Sequence, residues 1–234
     1  MRLPAEILAL VFCGFMLLAN AGAQDSNPSP LKIICIGDSI TQGGNIQGEY
    51  TYRLPLYRLL KQKGITAAFI GTHNDGLDKN FRWPSDFDSH HEGFYGATTD
   101  FVRYALKADL PKLPAPDIAL IDLGSNDHGK DVETAVIRPL TDIISQLRAK
   151  NPEVKIFIVQ IPGVFQNLGM HFRTWRMAHE LSQPKSPITT IPLYLSWNTR
   201  EDTFDGEHPN IVGQNKMAIA IFSKLEPALE VRLP

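Results

Sequence analysis

Cysteine is nearly missing. The 234-residue chain has only Cys13 and Cys35, too few for a disulfide framework. Long apolar runs are missing too. The longest, Ile7 to Leu18, covers about a dozen residues, short of the ~20 needed to span a bilayer. Neither charge sign dominates: 23 Lys and Arg face 25 Asp and Glu, a net charge of −2. That leaves no electrostatic footprint for nucleic acid or an anionic membrane surface. There is no repeat at a solenoid period and no low-complexity block.

Hydrophobic residues make up 43% of the chain and charged residues 21%, which suits a packed globular core. The length fits a single α/β domain. Arg2, the apolar run and the small residues Ala19, Ala21 and Ala23 read as a secretory signal peptide over residues 1–23, so the product is expected to be secreted or periplasmic. Its removal leaves Cys35 alone, and no intrachain disulfide can form. Residues 24–30, rich in Ser, Asn and Pro, read as a flexible lead-in. Residues 31–234 read as one domain.

Apolar, β-branched runs at Lys32–Ile36, Thr66–Ile70, Asp117–Leu123, Lys155–Ile161 and Ile188–Leu193 suit parallel strands covered on both faces. Helical patterns lie between them. Pro55 suits a first turn, with Leu56, Leu59 and Leu60 on one face and a stop at Gly64. Val132, Val136, Leu140, Ile143 and Leu147 recur at helical spacing, and Pro139 predicts a kink or a restart. A last helix after Pro209 presents Ile211, Ala218, Phe222 and Leu225. Five such steps predict a three-layer α/β/α domain with a doubly wound, five-stranded parallel sheet. Gly71 to Glu92 has aromatics but no period. It reads as an insertion over the carboxyl edge of the sheet, where such folds bind ligands.

Four segments fall at strand ends. Gly37-Asp38-Ser39-Ile40-Thr41 follows the first strand, and a serine at so tight a turn projects its hydroxyl above the sheet. Glu92-Gly93-Phe94-Tyr95-Gly96 precedes a helix from about Thr99 to Ala108, and a glycine there lets a backbone N–H approach a ligand. Asn126, in Gly124-Ser125-Asn126-Asp127, can donate its amide to an oxyanion. Asp205 and His208, three apart in Asp205-Gly206-Glu207-His208-Pro209-Asn210, can meet across a turn. Each segment alone has an ordinary structural explanation; the ordered set of four does not.

That set resembles the SGNH (GDSL-type) hydrolase superfamily, whose signature blocks match Ser39, Gly96, Asn126 and His208. The resemblance spans Leu31 to Leu225. With Tyr52-Arg53, the His91-Glu92-Gly93-x-x-Gly96 string and Asp-Gly-x-His-Pro-Asn, the chain looks like the acetylxylan-esterase branch, carbohydrate esterase family three. Ser125 stands where that branch usually has Thr. The resemblance implies a flavodoxin-like fold and ester hydrolysis through an acyl-enzyme, with no cofactor. Ser39 is the expected nucleophile, His208 the base and Asp205 its partner. Asp202 is a rival that fits the motif less well. The N–H groups of Ser39 and Gly96 and the Asn126 amide form the expected oxyanion hole. Gly96 is chosen over Gly93 because the branch uses the second glycine of that string.

Trp83 and His91 are candidate substrate contacts. No metal is expected, because His73, His90, His91 and His128 form no ligand pair at recognised spacing. Asp38 and Asp127 are expected to brace loops. The expected partner is an acylated carbohydrate or another small ester, with no nucleic acid and no membrane span; the oligomeric state stays open. A lipolytic esterase or thioesterase with the same machinery is one alternative. A non-catalytic glycan-binding relative is the other, and the complete residue set argues against it.

Overall fold

The computed structural model describes residues 29–45, 50–160 and 168–230. The expected signal peptide and nearly all of the expected lead-in lie outside these, as does Ile161. No described helix is long and apolar enough to cross a membrane.

The five expected strands form, as β1 (Leu31–Gly37), β2 (Ala67–Ile70), β4 (Ile118–Asp122), β5 (Lys155–Val159) and β6 (Ile188–Ile191). Their order is β2-β1-β4-β5-β6 and every pairing is parallel. This is the doubly wound, flavodoxin-like order. A short sixth strand lies off this path: β3 (Glu92–Gly93) pairs in parallel with Ile36 and Gly37 of β1. It takes over beyond Ile34, the last β1 residue that β2 pairs. Two residues carry no period, so it was invisible in the sequence.

Side chains alternate across the sheet and feed two cores. Ile33 and Cys35 of β1, Leu120 of β4 and Phe157 of β5 point to one face. There α2 (Arg53–Gln62) and α7 (Ile211–Glu230) cover them with Leu56, Leu60, Met217, Ile221 and Leu225. Ile34, Ile36, Ile121 and Ile156 point to the other face. It is covered by α3 (Thr99–Asp109), α4 (Arg138–Lys150) and α5 (Leu168–Leu181). Each fully buried Ile or Leu contributes about 1.5–3 kcal/mol, so both faces are needed to hold the layers.

Pro139 lacks the N–H that would close a bond to the preceding turn. Residues Glu133–Ile137 accordingly widen into a π turn before α4 starts at Arg138. At the last helix the expected face needs one correction. Ala218, Phe222 and Leu225 are buried, whereas Ile211 is 64% exposed; the first-turn core contact is Gln214, 3% exposed.

The 71–92 segment is an arch tied at its base, where the backbones of His73 and His91 exchange hydrogen bonds of 3.2 and 2.8 Å. It runs beside the turn after α1 (Ser39–Gln42), with Leu77 and Asp78 donating to the carbonyls of Gly43 and Gly44. Phe81 and Phe87 are buried in it.

Candidate active site

Ser39 opens α1 directly beyond β1. The turn is tight because Gly37 has no side chain: a Cβ there would lie 2.1 Å from Thr41 Oγ1 and 2.6 Å from the Asp122 carbonyl. Asp38 caps α1 by accepting from the Ile40 N–H at 3.0 Å. Asp38 also accepts from the Ser125 hydroxyl, and from the Asn126 amide at 3.2 Å. The first strand end is thereby bound to the fourth. Asp127 does the same job toward α3, accepting from the Thr99 N–H at 2.9 Å and its hydroxyl at 2.6 Å. Both carboxylates brace loops.

His208 arrives from the turn before α7. With the proton on Nδ1, that nitrogen donates to Asp205 Oδ2 at 2.7 Å, and Nε2 accepts from Ser39 Oγ at 2.9 Å. Asp205 Oδ1 also accepts the backbone N–H groups of Glu207 and His208, at 2.9 and 2.7 Å. Burial pushes the Asp205 carboxyl up, but these hydrogen bonds outweigh it and hold the group below its ordinary value. Asp202 does not compete: it accepts from the Asn198 N–H at 2.7 Å and from Lys216 Nζ at 2.6 Å.

The remaining sequence-selected groups sit as follows. Gly96 turns with φ 71°, a conformation that favours glycine. Asn126 Nδ2 is already engaged, at 3.2 Å from Asp38 and 3.1 Å from the Ala97 carbonyl. The two candidate substrate contacts are placed differently. His91 is fully buried, with Nδ1 accepting from the Gly93 N–H at 2.9 Å and Nε2 at 3.0 Å from the Asp75 carbonyl. It braces the arch and presents nothing to a ligand. Trp83 is half-buried among Tyr50, Phe81 and Phe87, with ring centroids 4.8–6.2 Å away, which is packing.

Three groups escaped the sequence reading. Tyr95 and Phe204 each stack on the His208 ring, with centroids 5.6 and 5.7 Å away and planes within 17° and 20°. Their signal was adjacency: Tyr95 sits inside the Gly-x-x-Gly string and Phe204 directly precedes Asp205. The third is Arg53, which the sequence offered only as part of the Tyr52-Arg53 pair; it is fully buried, with no carboxylate partner among the described residues. Its guanidinium donates to the carbonyls of Thr41, Gln42, Ser89 and His90 at 2.7–3.2 Å. It also lies 5.4 Å from the Trp83 ring centroid and 5.5 Å from that of Phe87. It ties the arch to the turn that carries Ser39.

A hydroxyl, an imidazole and a carboxylate stand in line at the carboxyl rim of a parallel sheet, the arrangement that can activate a serine nucleophile. The chain belongs to the GDSL-like lipase/acylhydrolase family, whose model matches residues 35–214. A "Multidomain esterase" from Ruminococcus flavefaciens is 26% identical over 95% of this chain, which spans about a third (32%) of that protein. A carbohydrate esterase family 3 structure from Talaromyces cellulolyticus superposes with a TM-score of 0.72 at 22% identity, over 86% of this chain and 98% of that one. A serine mutant of an acetyl esterase, solved with acetate ion, gives 0.73 at 21% identity, over 87% and 100%.

Proposed function

We propose that this protein is an exported serine esterase that removes short acyl groups, acetyl above all, from a polysaccharide. The reading rests on one observation: the 2.9 and 2.7 Å hydrogen bonds that link Ser39, His208 and Asp205. Ser39 Oγ attacks the ester carbonyl as His208 Nε2 takes its proton. The imidazolium then protonates the leaving alcohol, and an acyl-Ser39 remains. Water, deprotonated by the same imidazole, attacks that ester, and the carboxylic acid leaves as Ser39 regains its proton. Asp205 holds the tautomer and stabilises the imidazolium without itself taking a proton.

The N–H groups of Ser39 and Gly96 and the Asn126 amide receive the developing oxyanion. Asn126 does so by trading its bond to the Ala97 carbonyl, which lies within the same loop cluster. Loss of one such donor costs about 3 kcal/mol of transition-state stabilisation.

Two observations support a small acyl group. The depression beside Ser39 is small, a cavity of about 10 Å³, and the polar groups Thr51, Tyr52, His208 and Gln214 share its lining with Ile40, Gly43 and Pro209. The similar structures include a carbohydrate esterase and an acetyl esterase. The sequence of residues 1–23 supports export.

The test is a chain-length series of p-nitrophenyl esters, followed by acetate release from acetylated xylan. We expect acetate esters to be cleaved fastest, by an order of magnitude over chains of about eight carbons, and Ser39→Ala to abolish both activities. A preference for the long chains makes the protein a lipolytic esterase instead. Unchanged hydrolysis by Ser39→Ala ends the serine mechanism.

A further inference from the structure

The base of the arch gathers three metal-ligating side chains that sequence spacing kept apart. His73 lies at its start, Glu92 in β3 at its end, and Asp109 is the last residue of α3. Their ligating atoms all lie within 4.8 Å of one another. Glu92 is fully buried. Its Oε1 accepts from the Thr72 N–H at 2.5 Å, whereas its buried Oε2 has no hydrogen-bond partner among the described residues. A sealed, unpaired carboxylate oxygen is costly, and the Glu92 carboxylate that carries it belongs to the cluster that His73 and Asp109 complete.

We propose that His73, Glu92 and Asp109 bind a divalent cation of the zinc class, with a structural role at the foot of the arch. The donor set decides the class: an imidazole nitrogen with two carboxylates suits zinc, manganese or cobalt, whereas calcium asks for six to eight oxygens. A tetrahedral zinc about 2.1 Å from each ligand holds its donors about 3.4 Å apart, so the cluster must contract. Glu92 is fixed in the sheet, and the half-buried His73 and Asp109 supply the movement. Lys112 Nζ, 2.6 Å from Asp109 Oδ1, gives way to the ion. The bound cation would join both ends of the arch to α3. Gly96 follows four residues after Glu92, so the same clamp would steady the proposed oxyanion loop.

The experiment uses chelator-stripped full-length protein and zinc chloride alone, read by titration calorimetry and thermal unfolding. We expect one saturable site, a rise in melting temperature, and weaker binding at about pH 5.5 than at about pH 7.5, because the ligands must lose protons. His73→Ala and Asp109→Asn lie outside the core and should still fold. Each should weaken zinc binding at least about tenfold and remove the thermal shift. The proposal is overturned by the absence of a saturable site, or by a zinc site that persists with full affinity in both variants. Neither readout depends on ester hydrolysis, so the failure of this site and of the esterase reading can be told apart.

Discussion

The ring of Tyr95 lies over the imidazole of His208, centroids 5.6 Å apart and planes 17° from parallel, while Phe204 stacks on the same imidazole with its centroid 5.7 Å away. Two aromatic contacts therefore restrict a ring that must point Nε2 at Ser39. Tyr95→Leu removes one of them and leaves the hydrogen-bonded chain intact. We expect kcat to fall about tenfold with KM changed far less, since a misplaced base slows the chemical step and leaves binding alone. A KM effect with kcat preserved would assign Tyr95 to substrate contact.

Asp205→Asn keeps the shape of the side chain but can fix the wrong imidazole tautomer. A fall in kcat approaching 10⁴-fold is expected, with unchanged melting, because the carboxylate is 40% exposed and bonds only within its own turn and to His208. Activity near that of the unaltered enzyme would return Asp202 to consideration and require the 205–208 turn to rearrange.

Arg53 is a buried cation satisfied by four carbonyls and two aromatic faces. Arg53→Met fills similar volume but takes a donor from each of those carbonyls, of which Thr41 keeps the Thr51 hydroxyl. Each buried acceptor so orphaned costs about 1–3 kcal/mol, and a total loss of about 3–5 kcal/mol is expected in urea unfolding. The 71–92 arch should become protease-sensitive first, which limited proteolysis reads directly. A loss below about 1 kcal/mol would show that water replaces the guanidinium.

Asp38 gives the pH dependence its sign. Burial raises its carboxyl to about 6 from an ordinary 3.8, against the opposing hydrogen bonds of Ser125 and Ile40. The neighbouring Asp122, 3% exposed, is raised as well by its burial and by the Asp38 charge. The folded state thus binds a proton that the unfolded state has released. Stability from this group is complete below about pH 4 and is lost as pH rises through about 6, a change on the order of 3 kcal/mol. Asp38→Asn keeps the cap and cannot ionise. The stability of the unaltered protein relative to this variant should therefore decline between about pH 4 and about pH 7. A difference that stays flat, or rises, contradicts the assignment.

The layers were legible because buried parallel strands are continuous apolar runs, and Ile33 to Ile36 or Ile118 to Ile121 can be little else. The meeting of Ser39, Asp205 and His208 was legible because they sit in short strings at strand ends, where a local turn does most of the positioning. What stayed hidden depends on contacts between distant segments. β3 is a strand only because β1 outruns β2. His91 looked like a ligand contact because a histidine in a motif carries no mark of being sealed beneath an arch. Ile211 obeyed the helical period but lies in the first turn of α7, before the helix reaches the sheet. The aromatic cover on His208 combines residues 95 and 204, which no window contains.

Ser39 and His208 stand 169 residues apart, one beyond the first strand and the other just ahead of the final helix. That helix also closes the core over β1 and α2. Closure of the core and assembly of the site should therefore coincide: a folding chain in which Ile211–Glu230 has yet to dock presents Ser39 but cannot seat His208 against it.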